Sequence, residues 1–382
     1  MFLQIHTLTS YPASLLNRDD AGLAKRIPFG NATRLRVSSQ CLKRHWRDTL
    51  VEQLPELPDG QRTRSFFTRT VLPKAIEAGI PEPIARSLLE PLAKAVVEGG
   101  VKEGGDLSQP VLFGLPEANY FVEVLKTASQ SDDPVKALSE RLKSKEEKDN
   151  LKAMRKSALG MQGLTASLFG RMVTSDLLAR VDAPVHVAHA FTVHAAHTEM
   201  DYFTVVDDLS RDDETGAAHA NQTELGAGVF YGYVVVDVPL LVSNLTGCER
   251  KDWRTQDASV ARRVLEKLID AIMRQSPGAK LGSTAPYAHA DFMLMESGTT
   301  QPRALANAFL EAVPLKEVKD DLRKIAVRRL ADYLAKLDGM YGGAGADSRR
   351  LATVFGQVDG LPLPQTVPSA VNDTLAAIFA TR

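Results

Sequence analysis

The sequence predicts an α+β protein: a sheet domain of ferredoxin-like type, interrupted by a long helical insertion and extended by a projecting β-hairpin. Three observations carry this prediction. The N-terminal residues alternate as a strand does, and residues from about 62 to 180 give almost wholly helical signals. A β-branched and aromatic run then returns after roughly 25 residues of mixed composition.

In chain order, Leu3 and Ile5 fall on one side of a first strand and Gln4 and His6 on the other, followed by a loop over 17–30. Residues 33–38 alternate again, with Arg34 and Arg36 on one face and Leu35 and Val37 on the other. Ser38-Ser39 offers an N-cap for a helix over about 40–54. On that helix Gln40, Lys43, Arg44 and Arg47 share one side, because residues three or four apart are neighbours, while Leu42 and Trp46 point toward the core.

Helices are predicted over 82–98, 119–128 and 134–156, broken by Gly99-Gly100, Gly104-Gly105 and Asp132-Asp133-Pro134. The charge-rich stretch 140–156 reads as a solvated helix. Strands return at 185–193 and 228–238, where Val-Phe-Tyr-Gly-Tyr-Val-Val-Val is the strongest β signal in the chain. Between them, 201–226 is acidic and contains Gly and Ala, with Tyr202-Phe203-Thr204 near its start. A connection of that length is usually functional. A helix over 258–274, a strand over 291–295 and a helix over 302–313 follow. The last predicted element is an amphipathic helix over 318–337 with Leu322, Ala326, Leu330, Tyr333 and Leu337 on one stripe.

Among the chain's 382 residues, 44% are hydrophobic and 24% charged, which excludes a wholly disordered chain. No apolar run approaches the roughly 18 residues of a membrane span. The first residues carry no basic n-region or small-residue cleavage site. Two cysteines, Cys41 and Cys248, make neither a disulfide framework nor a Cys-rich zinc site. Together these predict a cytoplasmic protein. Net charge is −1, yet residues 18–50 hold eight basic residues against Asp19, Asp20 and Asp48, a local +5 that leaves −6 for the rest. One basic face on a neutral body suits a phosphate backbone held in one place.

Each candidate chemistry has a plainer competitor. His186, His189, His194 and His197 crowd together, but on a strand His186 and His194 lie roughly 26 Å apart, too far to share an ion. No metal site is expected, nor any cofactor. Ser276-Pro277-Gly278-Ala279-Lys280 lacks the Lys position and following helix of an NTP-binding loop, yet its glycine turn could bring Lys280 to a nucleic-acid phosphate. No nucleophile–base pair is identifiable, so the protein is not expected to be an enzyme. Asp19-Asp20 could hold a divalent ion or balance Arg18 and Lys25. The strand–Ser-Ser–helix unit is the informative element: Arg34, Arg36, Lys43, Arg44 and Arg47 could grip phosphates, aided by N–H groups at the helix start. Composition alone leaves an ion-paired solvated face equally open.

Ordered blocks over nearly the whole chain go further. They run Leu16-Asn17-Arg18-Asp19-Asp20, Phe29-Gly30, Arg34 through Arg44 and Gly170-Arg171-Met172. Ala188-His189-Ala190, Thr192-Val193-His194, Asp201 through Leu209 and Gly228-Val229-Phe230-Tyr231 come next. Pro277-Gly278-Ala279-Lys280 and Ala306-Asn307-Ala308-Phe309 complete the series. With these blocks the sequence resembles the CasC family, the backbone subunit of the type I-E CRISPR Cascade complex. Residues 51–160 and the tail beyond about 345 fall outside the matched blocks.

The resemblance implies a hand-like protein. An RNA-recognition-motif-like palm (1–55, 181–200 and 227–382) would carry helical fingers (56–180) and a thumb hairpin (201–226). It further implies partners: guide crRNA, the target DNA strand paired to it, further copies of the chain and other Cascade subunits, serving antiviral defence. By position, Asn17, Arg18, Lys25, Ser38, Ser39, Gln40, Lys43, Arg47 and Arg171 would meet guide RNA, with Met172 wedged against its bases. Tyr202, Phe203 and Thr204 would sit on the thumb, and Gly278 and Lys280 nearby. The alternative reading is a metal-dependent endoribonuclease of a CRISPR effector, using a loop aspartate.

Overall fold

The structure is a computed structural model and describes residues 1–97, 99–144, 158–171, 181–205, 219–315, 320–342 and 346–380. The chain is mixed α+β and forms two compact units. One comprises 1–50, 187–236 and 265–382, the other 51–186 with 237–264. The strands in chain order are β1 (Phe2–Ser14), β2 (Arg26–Phe29), β3 (Ala32–Val37), β4 (Gly60–Thr63), β5 (Val111–Gly114), β6 (Val185–Val187), β7 (Ala190–Thr192), β8 (Thr198–Val205), β9 (His219–Asp237), β10 (Ala290–Gly298) and β11 (Ser348–Thr353).

In the first unit the sheet order is β11-β10-β1-β9-β7-β3-β2, with β8 paired along the early part of β9. The pairs β1/β10, β10/β11, β2/β3, β3/β7, β7/β9 and β8/β9 are antiparallel, with Ile5 opposite Met295 and Phe191 opposite Tyr231. Alternation divides the side chains between two cores. Phe191, Tyr231, Phe292 and Leu294 face Ala326, Val327, Leu330 and Leu334 of the helix Leu322–Met340. Ala190, Phe230, Leu35 and Val37 face the other way and are packed by Cys41 and Leu42 of the helix α1 (Ser39–Gln53).

Because both faces are covered, β1 is buried from Leu3 through Leu8, including the Gln4 and His6 side the sequence suggested was separate. Those polar groups have partners inside the unit. Gln4 accepts from the Tyr233 hydroxyl and from Arg303 N–H, both at 2.8 Å, and His6 Nδ1 lies 2.9 Å from the Tyr231 hydroxyl. The same contacts overturn the predicted helix over 302–313. The N–H groups of Arg303 and Leu305 are spent on Gln4 and the Tyr231 hydroxyl, and Val313 N–H on the Val193 carbonyl, so only a short 3₁₀ turn, Ala306–Phe309, remains. Backbone donors taken by the sheet cannot also close helical turns.

The amphipathic helix begins at Leu322, where Asp321 accepts the Arg323 N–H at 2.9 Å as a cap. Part of its predicted first turn, 316–319, lies outside the described residues. The loop expected over 17–30 instead contains β2, which turns back into β3 at Gly30. Gly30 has φ +61°, and a Cβ there would lie 1.7 Å from the Leu310 carbonyl oxygen, which accepts the Asn31 N–H at 3.0 Å. Gly30→Ala is therefore expected to destabilise the first unit by about 2–4 kcal/mol, measured by denaturant unfolding.

At the β1–β10–β11 end, Glu296 is fully buried. It faces His6 Nε2 at 3.4 Å, Arg349 Nε at 2.7 Å and Arg303 Nη1 at 3.3 Å, and both guanidinium groups continue to Asp338. Burial opposes ionisation of Glu296, but His6 and the two guanidinium groups outweigh it and hold the carboxyl down at about 2. Burial likewise lowers the His6 imidazole. A pKa depressed by folding contributes stability above the unfolded value that is lost as pH falls. Stability should thus decline below about pH 6.5 through His6 and again between about 4.5 and 2 through Glu296. Urea unfolding across pH reads this, and Glu296→Gln should flatten the lower step.

The second unit is built on helices. Leu72–Glu77, Glu82–Val96, Leu115–Ser129 and Pro134–Lys143 surround Phe66, Phe67, Leu88, Leu92, Phe113 and Phe121, with Phe66 and Phe113 stacked at 4.1 Å. The helix at 134 starts on Pro134 behind Asp133, whose carboxylate accepts the Lys136 N–H at 3.1 Å. The predicted charged helix over 140–156 is described only to Ser144, with 145–157 outside the described residues. The helix Val238–Thr246 groups with this unit rather than with the later sheet residues. Asn244 Nδ2 donates to the Ser167 and Asp182 carbonyls at 3.1 and 3.0 Å.

Candidate nucleic-acid interface

The basic loop and helix of the first unit are held together by short-range bonds. Ser38 is the N-cap of α1: its Oγ accepts the Cys41 N–H at 3.3 Å, while its own N–H donates to Asn17 Oδ1 at 2.9 Å. Lys25 N–H donates to the Asn17 carbonyl, and Arg36 N–H to the Lys25 carbonyl. These bonds draw the 17–25 loop, the end of β3 and the start of α1 onto one face. The charges of Arg44 and Lys25 both reach the Cys41 thiol, opposing the upward push of its burial.

Around this start the exposed side chains are Arg18, Gln40 and Arg44, with Asn17, Lys25, Arg36, Ser39, Lys43 and Arg47 partly exposed. The first N–H groups of α1 have no partner within the helix, and its first turn holds no acidic residue, so this end attracts anions. Burial lowers the Lys43 ammonium from its usual value. Arg47 is paired with its neighbour Asp48 at 2.8 Å. Asn17 and Ser38, predicted as ligands, are spent on shaping the turn, and Ser38 is 6% exposed.

Two predicted ligands are elsewhere in function. Arg34 is fully buried: Nη1 donates to the Thr192 carbonyl at 3.0 Å and Nη2 to the Phe309 carbonyl at 2.7 Å. It is a cross-brace inside the first unit, not a phosphate ligand, because no solvent reaches it. Arg171 belongs to the second unit, where it is 3% exposed and its Nη1 lies 2.8 Å from both carboxylate oxygens of Glu117. Glu117 also accepts the Gly114 N–H, so this is a buried structural ion pair. Met172 lies outside the described residues.

The hairpin arms form as predicted in kind. β8 and β9 pair from Thr198 opposite Gly226 to Val205 opposite His219, with Thr204 opposite Ala220; residues 206–218 lie outside the described residues. Tyr202 and Phe203 are both exposed. Phe203 lies under Lys280, whose Nζ is 5.2 Å from the ring centroid and donates to Thr223 Oγ1. Lys280 thus holds the hairpin as well as presenting charge. Gly278 is small for a packing reason, since a Cβ would meet Pro286 at 2.6 Å and Leu281 at 2.8 Å.

Three nearby residues were not singled out from the sequence as part of this face. Arg26 pairs with Glu224 and donates to Thr198 Oγ1 at 3.1 Å, tying β2 to both hairpin arms. Glu224 itself has no sequence signal: it is one carboxylate in an acidic stretch. His189 is exposed, and its Nδ1 lies 2.9 Å from Arg36 Nη1. A guanidinium only donates, so this nitrogen accepts and the ring is neutral with Nε2–H. Burial and the Arg36 and Lys25 charges lower its pKa accordingly. His194 is engaged by the backbone of Ala195 and Val229, and His186 by that of Ala183. Among the described residues no three His, Cys, Asp or Glu side chains are grouped to hold a metal ion.

Asp19, the loop aspartate, closes its own turn. Its Oδ1 accepts the N–H groups of Ala21 and Leu23 at 3.0 and 2.9 Å. What the face offers is a set of cations and helix-start donors with an aromatic-bearing hairpin anchored beside it.

The family model of CT1975-like proteins matches residues 3–372. The chain belongs to this family. Its fold is similar to that of a solved chain described as "CRISPR RNA-guided surveillance complex, pre-nicking". The TM-score is 0.79 at 26% identity, covering 99% of this chain and 100% of that one. A second, described as "CRISPR RNA-guided surveillance complex", shares the fold with a TM-score of 0.62 at 23% identity, covering 99% and 100%. No curated protein matches the chain. Among the described residues no helix of this family member is long and apolar enough to cross a membrane.

Proposed function

We propose that the chain is a non-catalytic, RNA-binding backbone subunit of a CRISPR Cascade-type surveillance complex, of the type I-E CasC kind. In this reading the first unit is an RNA-recognition-motif-like palm, the helical unit the fingers and the β8–β9 hairpin the thumb. Copies of the chain line up along guide crRNA beside other Cascade subunits. They grip its phosphates and leave its bases to pair with the target DNA strand. The observation that carries this is the convergence of the 17–25 loop, the cationic start of α1 and the hairpin base on one face of a unit. That unit lies in a chain whose whole length shares its fold with a surveillance-complex chain. Arg18, Lys25, Arg36, Gln40, Lys43, Arg44 and Arg47 make up the grip, with Tyr202 and Phe203 on the thumb.

Such contacts carry no base readout, which suits a subunit that accepts any guide, because pairing supplies the specificity. The near-neutral net charge fits as well: a chain that packs against copies of itself needs its basic groove confined.

The test is to express the tagged chain with a CRISPR array and its sister subunits and to size the RNA that co-purifies. One discrete guide-length RNA in a high-mass assembly is the expected result. A free chain without RNA, with the sister subunits present, would overturn the reading. The loop-aspartate nuclease is separated by Asp19→Ala, which should leave RNA protection unchanged. Loss of an RNA-cleaving activity in that variant would favour the nuclease instead.

A further inference from the structure

A buried carboxylate stands inside the cationic face. Glu224 on β9 is only 4% exposed, yet it lies against Arg26 and against the basic loop at Ala24. An acid in a phosphate-binding face repels its ligand, so its presence calls for a structural reason. Its two oxygens are both committed. Oε2 accepts the Ala24 N–H of the basic loop at 2.7 Å, and Oε1 takes the Arg26 guanidinium. Arg26 reaches on to Thr198 Oγ1 on the opposite hairpin arm at 3.1 Å.

The neighbouring packing leaves little play. Gly226, two residues on, is pressed against Leu35 of β3 so closely that a Cβ would meet the Leu35 side chain at 2.6 Å. The hairpin is thereby held at two points, by Glu224 to the basic loop and β2 and by close packing to β3.

We propose that Glu224, with Arg26, is a positioning residue for RNA binding: it locks the hairpin to the 17–25 loop so that thumb and phosphate grip act at one fixed spacing. This rests on the RNA-binding reading above. It makes an expectation opposite in sign to simple electrostatics. Glu224→Ala removes a negative charge from a basic face and nevertheless weakens binding.

The experiment uses the full chain and a mixed-sequence single-stranded RNA, with affinity measured over a salt series. Glu224→Ala should bind about ten-fold more weakly, the scale of one charge-assisted hydrogen bond lost. The slope of log affinity against log salt should not change, because no phosphate contact is removed. Glu224→Gln, which keeps an acceptor for the Ala24 N–H, should lose less, and it remains informative where the alanine variant folds poorly. Tighter binding by Glu224→Ala or Glu224→Gln would overturn the proposal, as would unchanged affinity in both. If the unaltered chain binds no RNA, the functional reading fails and this inference with it. RNA binding by the unaltered chain that is indifferent to Glu224 overturns the positioning role alone.

Discussion

Replacing Arg18, Lys25 and Arg44 together by alanine should lower the salt slope of single-strand RNA binding by about 2, at roughly 0.7 per phosphate contact. Affinity near physiological salt should fall on the order of 100-fold. These three are chosen because their side chains are exposed or partly exposed at the start of α1 and the loop before it. None of them braces the fold, so the thermal midpoint should stay within a few degrees. Arg47 would be a weaker choice, since it is less exposed and sits 2.8 Å from Asp48, against 4.0 Å for Arg44. Lys280 would be a confounded one, since it also bonds Thr223 and covers Phe203. The loss should be uniform across RNA sequences, because phosphate contacts carry no base information.

The second large effect concerns Arg34 on β3, an arginine with the opposite role. Arg34→Ala should destabilise the first unit by about 3–5 kcal/mol, measured by urea unfolding. The change empties a fully buried volume and strips the donors from the Thr192 and Phe309 carbonyls, which no water reaches. Arg34→Met fills much of the space but supplies no donor, and should recover only the packing part. Folded Arg34→Met protein should keep the salt slope of the unaltered chain. A variant that is fully stable but has a flatter slope would show Arg34 contacting phosphate after all.

The contrast between Arg34 and Arg36 shows how far the sequence could be read. Alternation placed both on one face of β3, and local pattern cannot say that this face is covered. The cover comes from the 3₁₀ turn at Phe309, some 275 positions away. The α1 cap was legible because Ser38, Cys41 and the helix start are adjacent in sequence. The hairpin was legible in kind from a strong strand returning after a long acidic connection. The absent helix over 302–313 was not, because its backbone donors are taken by Gln4 and Tyr231 from distant strands. β2 escaped notice because four residues are too few to show a period. Glu224 and Arg26 gave no signal, since an ion pair across 198 positions leaves no local trace. The resemblance reached Arg18 and Lys25, which the residue pattern alone placed only as charge partners of Asp19-Asp20.

Sequence-blind recognition of the RNA backbone is the central claim, and one measurement reaches it directly. Two single-stranded RNAs of equal length and unrelated sequence are titrated against the purified chain over the same salt series. Affinities equal within about three-fold and the same salt slope for both are expected of phosphate contacts. A preference beyond about 100-fold for one sequence, persisting at high salt where phosphate contacts are screened, would mean that the face reads bases and would contradict a backbone grip.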